Sequence, residues 1–395
     1  MPALSDVRVI DLTIARAGPT AVRQLSDWGA SVIRIDPPGG QIGISGKTTG
    51  PDYLNLHRGK RAMTLDLKAA QGLAIFKRLV ADADVVVENF RPPVKHRLGI
   101  DYATLSAEHP RLIYGSISGY GQDGPYASRG AVDQIIQGVS GLMSVTGEPD
   151  GDPMRVGIPI SDVAAGHQLA LGIVAALYER TSSGQGQWVS VSLLEAVISF
   201  LDFQAARWTV DGQVPERQGN HHPTFVPMGT YQASDLPINL AASSDRLWES
   251  FCMATGAGHL ASDERFADAA GRITHRVELN AAVAEIIATR PAAEWVELLN
   301  EASVPCGVVN TVDQTFADPQ VAHLAMTTTV EHATRGPVDI LRPPVGMSRT
   351  PTAVAGPAPL IGEHTDEILA ELGHSPGEIA DLRNAGVIGA VPNAR

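Results

Sequence analysis

The chain has 395 residues, 44% of them hydrophobic and 18% charged, with a formal net charge of −13. This is the balance of a folded globular chain with more than one core, not of a disordered one, and the acidic sum argues against nucleic-acid binding. Two cysteines, Cys252 and Cys306, cannot build a disulfide framework, and no Cys/His cluster has zinc spacing, so neither a metal nor a staple is expected.

The opening segment MPALSDVRVIDL has neither a basic n-region nor an apolar h-region, so no signal peptide is read and a cytoplasmic protein is expected. Val7–Leu12 reads as a buried strand, followed by a turn at Ala15–Pro19. A helix over Pro19–Trp28 starts on its proline and ends at Gly29. Ser31–Asp36 is a second strand, stopped by Pro37 and Pro38. Residues 39–62 show no periodicity and read as a long functional loop. Apolar residues at 73, 76, 79 and 80 give Leu67–Ala81 a helical face. Ala83–Val87 and Leu112–Tyr114 are further strands. Strands separated by helices of this length predict a parallel sheet covered on both faces, with ligands beyond the carboxyl ends of the strands.

Further on, Gly157–Arg180 carries a helical run behind Asp162, Trp188–Val191 reads as a strand, and Leu193–Phe200 as a helix. Apolar runs such as Leu169–Tyr178 are shorter than a membrane span requires, so no membrane is expected. Pro, Gly, Asn and His interrupt residues 202–235, and 246–300 is mostly helical, with Trp295, Leu298 and Leu299 on one face. Prolines at 343, 344, 351, 357 and 359 mark an extended return before a helix near 365–372. The expected organisation is α/β, with a Rossmann-like large domain and a smaller middle α+β domain. Its large domain covers 1–200 and a linker 201–225; the small domain covers 226–325, and 326–395 return to the large one.

Charge is unevenly placed. Residues 1–130 carry a balance of +4, whereas the remainder carries −17. Arg16, Lys47, Arg58, Lys60, Arg61, Arg91, Lys95 and Arg97 follow the strands, where either an anionic ligand or solvent can meet them. The turn Ile14–Pro19 lacks the G-x-G-x-x-G fingerprint and puts Arg16 where a pyrophosphate would approach, which argues against nicotinamide binding. Asp162, ahead of its helix, reads first as an N-cap, and the same position also suits a nucleophile; the residue type does not separate the two. Ala164, Ala165 and Gly166 leave space beside it. His57, His221 and His222 fall in loops, the last two read as solvent-facing. His167 follows Asp162 by just over a turn. Cys306 reads as a buried thiol. No G-x-S-x-G elbow supports a hydrolase triad.

The ordered set VIDLT-x-x-x-AGP, the segment Asp66–Lys68, VENFRP at 87–92, RLIYGSISGYGQDGPY at 111–126, the pair Ser161-Asp162, SGQGQWV at 183–189 and LIGEHT at 360–365 resembles the family III CoA-transferases. That family contains formyl-CoA and carnitine CoA-transferases and alpha-methylacyl-CoA racemase. The resemblance covers residues 7 to about 373. It implies a large domain built from both chain ends and an interlocked homodimer. Its substrates are an acyl-CoA donor and a carboxylate acceptor, with coenzyme A carried as the thioester.

By position, the resemblance makes Asp162 the nucleophilic aspartate and assigns CoA contacts to Arg16, Ala17, Leu65, Lys68, Asn89, Phe90, Arg91 and Arg97. Arginine and lysine would answer phosphates, Phe90 and Leu65 would face the adenine, and Asn89 would fix an amide. Asp133 is an auxiliary catalytic candidate. The implied chemistry runs through an acyl–aspartyl anhydride and an aspartyl-CoA thioester, with oxyanion donors expected near Gly166 or the 138–141 turn. Two departures qualify it. Gly130-Ala131-Val132-Asp133 has valine where the racemases place a histidine, which weakens an epimerase reading. Residues 219–235, GNHHPTFVPMGTYQASD, lack the glycine run of formyl-CoA transferase. An epimerase of the same fold and a non-catalytic acyl-CoA binder remain the alternatives.

Overall fold

A computed structural model of the chain describes residues 1–40 and 48–390; Lys47 lies outside them. The chain divides into two compact units, one of Met1–Leu142, Arg155–Asp211 and Ala325–Arg395, the other of Met143–Met154 and Gly212–Leu324.

The first unit is built on β1 (Arg8–Asp11), β2 (Ser31–Asp36), β3 (Arg61–Thr64), β4 (Val85–Glu88), β5 (Ile113–Ser118) and β6 (Trp188–Ser192). They form a six-stranded sheet in the order β3-β2-β1-β4-β5-β6, and every pairing is parallel. The expected Rossmann-like sheet is present. Along β1, Val9 enters one core and Ile10 the other, because successive side chains leave a strand on opposite faces. Both faces are covered, and the central β4 accordingly buries all four of its residues, Val85–Glu88.

Its helices are α1 (Ala17–Asp27), α2 (Pro51–His57), α3 (Ala70–Ala81), α4 (Pro92–Leu98), α5 (Tyr102–Glu108), α6 (Asp133–Val139), α7 (Ile160–Ser183), α8 (Leu193–Phe200) and α9 (Phe203–Asp211). On one face α1, α7 and α8 bury Val22, Leu25, Leu169, Ile173 and Val197; on the other, α3 buries Ile75, Phe76 and Leu79. A capping box between Ser192 and Glu195 starts α8, and Gly184 in the left-handed region ends α7.

Residues 39–62 are not simply a loop. The seven-residue α2 buries Tyr53, Leu54 and Leu56, and Arg61 opens β3. A helix that short shows no periodicity, and Arg58 and Lys60 beside it are buried in ion pairs that composition alone reads as surface. α7 also departs from expectation. Among the described residues it is the one helix long and apolar enough to cross a membrane, with 24 residues and a mean hydropathy of 1.4 over its best window. Half of that window is buried inside the unit, where α7 packs on α1, β5 and β6 as a core helix.

The second unit has a sheet of β7 (Met228–Gln232), β8 (Pro237–Ala241) and β9 (Cys306–Val308), antiparallel in the order β7-β8-β9. Around it lie α10 (Asp245–Thr255), α11 (Gly258–Ala261), α12 (Ala269–Thr274), α13 (Arg276–Ile287), α14 (Ala292–Glu301), α15 (Val312–Ala317) and α16 (Pro319–Leu324). Trp295 and Leu299 of α14 sit in its core, as their spacing predicts.

The chain then rejoins the first unit through a hairpin of β10 (Thr327–His332) and β11 (Gly336–Leu341), the extended return, α17 (Thr365–Glu371) and α18 (Pro376–Asn384). Ile368, Leu369, Ile379 and Leu382 complete the core on the α3 face, so both ends of the chain close over one sheet.

Candidate active site

The strand order reverses between β1 and β4, so the crevice of this sheet opens where the chain leaves those two strands. At the end of β1 the buried Asp11 carboxylate accepts from the Thr13 N–H at 2.9 Å and its Oγ1 at 2.5 Å. Thr13 in turn packs against Gly18, where a Cβ would stand 2.4 Å from the Thr13 Cβ. After β4, Asn89 straddles the crevice: its Oδ1 accepts from Ile14 N–H at 2.9 Å and its Nδ2 donates to Ile14 O at 2.8 Å. The turn between these anchors puts Ala15 at φ 61 and delivers Arg16 as the first residue before α1.

The first turn of α7 faces this point. The helix begins two residues before Asp162, after Pro159, and no side chain of its own caps it. Asp162 is therefore not an N-cap. That role falls to Asp133 of α6, whose Oδ1 accepts from the Ser161 N–H at 2.9 Å and from Ser161 Oγ at 2.8 Å. Asp133 Oδ2 takes the Gln137 amide at 2.7 Å, with Arg155 3.9 Å away.

Asp162 is left with no hydrogen-bond or ion-pair partner among the described residues, and its own N–H has no acceptor there. Burial first, and then the neighbouring Asp133 charge, push its carboxyl up to about 6 against the pull of Arg16. Such a group is largely ionised at neutral pH and more nucleophilic than an ordinary aspartate. It lines a cavity of about 480 Å³ with Arg16, Ala17, Asn89, Val132, Asp133 and Arg155.

Other expected site residues lie elsewhere. Leu65 is 2% exposed and belongs to the core, so its side chain presents no surface to a base. Phe90 is half-buried against the same core. Lys68, Arg91 and Arg97 are exposed, do not line the Asp162 cavity and have no carboxylate partner among the described residues; Arg91 lies closest to it, its guanidinium against Gly130. Asn89 spends its amide on Ile14, which makes it a strut for the Arg16 turn. The remaining basic residues are committed: Arg58 to Asp27 at 2.6 Å, Lys60 to Asp11 at 2.8 Å and Lys95 to Glu88 at 2.8 Å, all buried, with Arg61 on Glu367 and Glu371. Arg16 itself pairs with the half-exposed Asp52. Three of the eight basic residues that follow the strands, Arg58, Lys60 and Lys95, are thus internal structure rather than a ligand surface.

Gly166 is no open oxyanion site. It sits inside α7 against α1, where a Cβ would come within 2.7 Å of Ala17 O, and Ala164 and Ala165 are fully buried. The 138–141 turn does not line the cavity. His57 is buried between Arg34 and Lys60; burial and those two cations hold it far below its ordinary range and neutral. His167 is exposed and bonded through Nδ1 to Val163 O at 2.7 Å.

His221, His222 and Cys306 line a separate cavity of about 640 Å³ in the second unit. The two histidines are half-buried rather than solvent-facing, and burial followed by Arg276 lowers both. Cys306 is half-buried, its thiol pushed up to about 11 by burial, so it is no ready nucleophile. With no charged lining residue, this cavity offers less chemistry than the one around Asp162.

Arg155 and Gln137 escaped the sequence reading. The Asp133/Gln137 spacing of four on a short helix was its one available sign.

A doubly wound α/β enzyme with an unpaired, half-buried carboxylate at its switch point is the class these features define. The chain belongs to the CoA-transferase family III, whose profile matches residues 4–365. It is 38% identical over 390 residues to the succinate–glutarate CoA-transferase of Agrobacterium fabrum, covering 94% of this chain and 96% of that one. Identity to the acetyl-CoA:oxalate CoA-transferase of Acetobacter aceti is 40% over 323 residues, 80% of this chain and 82% of the other. Its fold matches a CaiB/BaiF family protein of Brucella suis with a TM-score of 0.83 at 34% identity, across 94% of this chain and 99% of that one. The protein is thus an enzyme of the CoA-transferase type, and CoA thioesters are its substrate class.

Proposed function

We propose that this enzyme moves CoA from an acyl-CoA to a carboxylic acid acceptor by covalent catalysis on Asp162. The supporting observation is that Asp162 stands free of capping duty, half-buried and without a hydrogen-bond or ion-pair partner among the described residues, at the mouth of α7 beside Arg16.

In this reading the Asp162 carboxylate attacks the thioester carbonyl; the C–S bond breaks, CoA leaves as thiolate, and a mixed anhydride forms. The thiolate then attacks the Asp162 carbonyl, breaking the anhydride C–O bond, releasing the donor carboxylate and leaving an aspartyl-CoA thioester. The acceptor carboxylate attacks that thioester and frees the thiolate again. Attack of the thiolate on the acceptor's carbonyl yields the new acyl-CoA and restores Asp162. Thiolate and carboxylate are conserved in number throughout, so no further reactant is consumed. Arg16 faces the developing negative charge, and the Asp162 N–H and the start of α1 add donors to an oxyanion.

Within this proposal, Arg16 and Ala17 meet the CoA chain near the thioester, while Lys68, Arg91 and Arg97 take its phosphates. We also read the enzyme as a cytoplasmic homodimer, as the resemblance implies. Apolar side chains left exposed on α8 and α9, Phe200, Trp208 and Val210, support a covered surface.

The epimerase alternative needs a second base facing the alpha carbon, and Val132 at the cavity wall cannot titrate. Incubation of a succinyl- and acetyl-CoA panel with carboxylate acceptors in deuterated buffer separates the two. New thioesters without alpha-deuterium support transfer, whereas alpha-deuterium without new thioesters contradicts it.

A further inference from the structure

We propose that Gln137 is a positioning residue for CoA transfer: its buried amide, acting with Asp133, fixes the chain that enters α7 and thereby the place of Asp162. The inference rests on Asp162 being the nucleophile.

Gln137 is wholly buried, and a buried amide is costly unless its donors and acceptor are matched. Here they are. Its Nε2 donates to Asp133 Oδ2 at 2.7 Å and to Ile158 O at 3.3 Å, and its Oε1 accepts from Val156 N–H at 2.8 Å. Asp133 adds its two bonds to Ser161. Two side chains one turn apart on α6 therefore grip the incoming chain at Val156, Ile158 and Ser161.

Outside that grip the run is lightly framed, by the Met154 N–H on Thr146 O at 3.0 Å and the Ile160 N–H on Ile158 O at 2.8 Å. Residues 152–156 belong to no helix or strand, and Pro159 brings no capping side chain. Among the described residues no hydrogen bond or ion pair holds the Asp162 carboxylate in place. Its direction follows from the first-turn backbone, and that backbone follows the α6 grip. Reacting groups tolerate little error, since a displacement near 1 Å costs on the order of 100-fold in rate.

A purely structural glutamine would lower stability and leave the chemical step of the folded enzyme unchanged. Gln137→Met keeps the volume and loses all three bonds. Gln137→Glu keeps the acceptor for Val156 but sets a carboxylate against Asp133, with Arg155 and Arg16 as the nearby cations. The readouts are rapid-quench formation of the CoA adduct on Asp162, CoA affinity by calorimetry and the melting temperature. The probe is succinyl-CoA or acetyl-CoA, whichever labels the wild type.

Adduct formation should slow between about 10- and 100-fold in Gln137→Met, with CoA affinity changed less than about twofold. If Gln137→Met does not fold, Gln137→Glu carries the test and should slow likewise. Wild-type adduct rates in a folded variant overturn the inference, as does a rate loss matched by an equal loss of CoA affinity. A wild type that neither thioester labels on Asp162 overturns the nucleophile reading, and the inference falls with it.

Discussion

Asp133 on α6 accepts the backbone N–H of Ser161 at 2.9 Å, so the first turn of α7 is capped from a neighbouring helix. The next residue, Asp162, is released from the role its sequence position suits best, and its carboxylate turns to the cavity beside the carboxylate that replaced it.

That proximity makes the pH dependence testable. The transfer needs Asp162 ionised, so kcat/KM should fall as pH drops through about 6. Asp133→Asn keeps an acceptor for Ser161 but removes the like charge, and should move this acid limb to lower pH. A limb that stays in place would mean that burial alone sets Asp162.

Stability should run opposite to activity at the same residue. Because folding raises the Asp162 pKa from 3.8 to about 6, its ionisation opposes folding as pH rises through that window and fully above it. Asp162→Asn should therefore stabilise the protein at neutral pH by about 1–3 kcal/mol while abolishing transfer. The gain should vanish below the ordinary aspartate range. Thermal melts at both pH values read this out; an N-cap would show the reverse, a loss of stability.

The sheet was legible in the sequence, and the tip of the site was not. VRVID and SVIRID announce buried parallel strands because both faces are covered, and the strand-to-helix rhythm carries the topology. Asp162 was legible as a helix-start carboxylate, but whether it caps depends on Asp133, 29 positions earlier in the chain. Nothing local encodes that contact. Lys60 and Arg58 misled in the same way: their partners Asp11 and Asp27 lie on β1 and α1, so residues that read as a phosphate surface are internal pairs.

Arg16 pairs through one nitrogen with Asp52, a half-exposed carboxylate on α2 that competes with an anionic ligand for the same guanidinium. Asp52→Asn removes the competitor and should tighten CoA binding by up to about fivefold, the scale of one exposed ion pair. Arg16→Ala should weaken it. Calorimetric titration with CoA measures both, and an Asp52→Asn variant that binds more weakly would show that the pair orders Arg16 for its ligand.

Gly166 lets α7 approach α1, with Ala17 O and the Thr20 Cβ each 2.7 Å from where a Cβ would stand. Gly166→Ala should cost about 1–3 kcal/mol through overpacking, and move both helix starts that frame the site. Denaturant unfolding gives the first quantity and the transfer assay the second. An unchanged midpoint would mean that the helices part freely.

Intact-protein mass spectrometry tests the central claim most directly. Wild type and Asp162→Ala are mixed with succinyl-CoA and acetyl-CoA, with and without hydroxylamine. The account predicts a CoA-sized adduct on the wild type that hydroxylamine removes and that Asp162→Ala never forms. An adduct that persists in Asp162→Ala, or transfer activity retained by that variant, would contradict it.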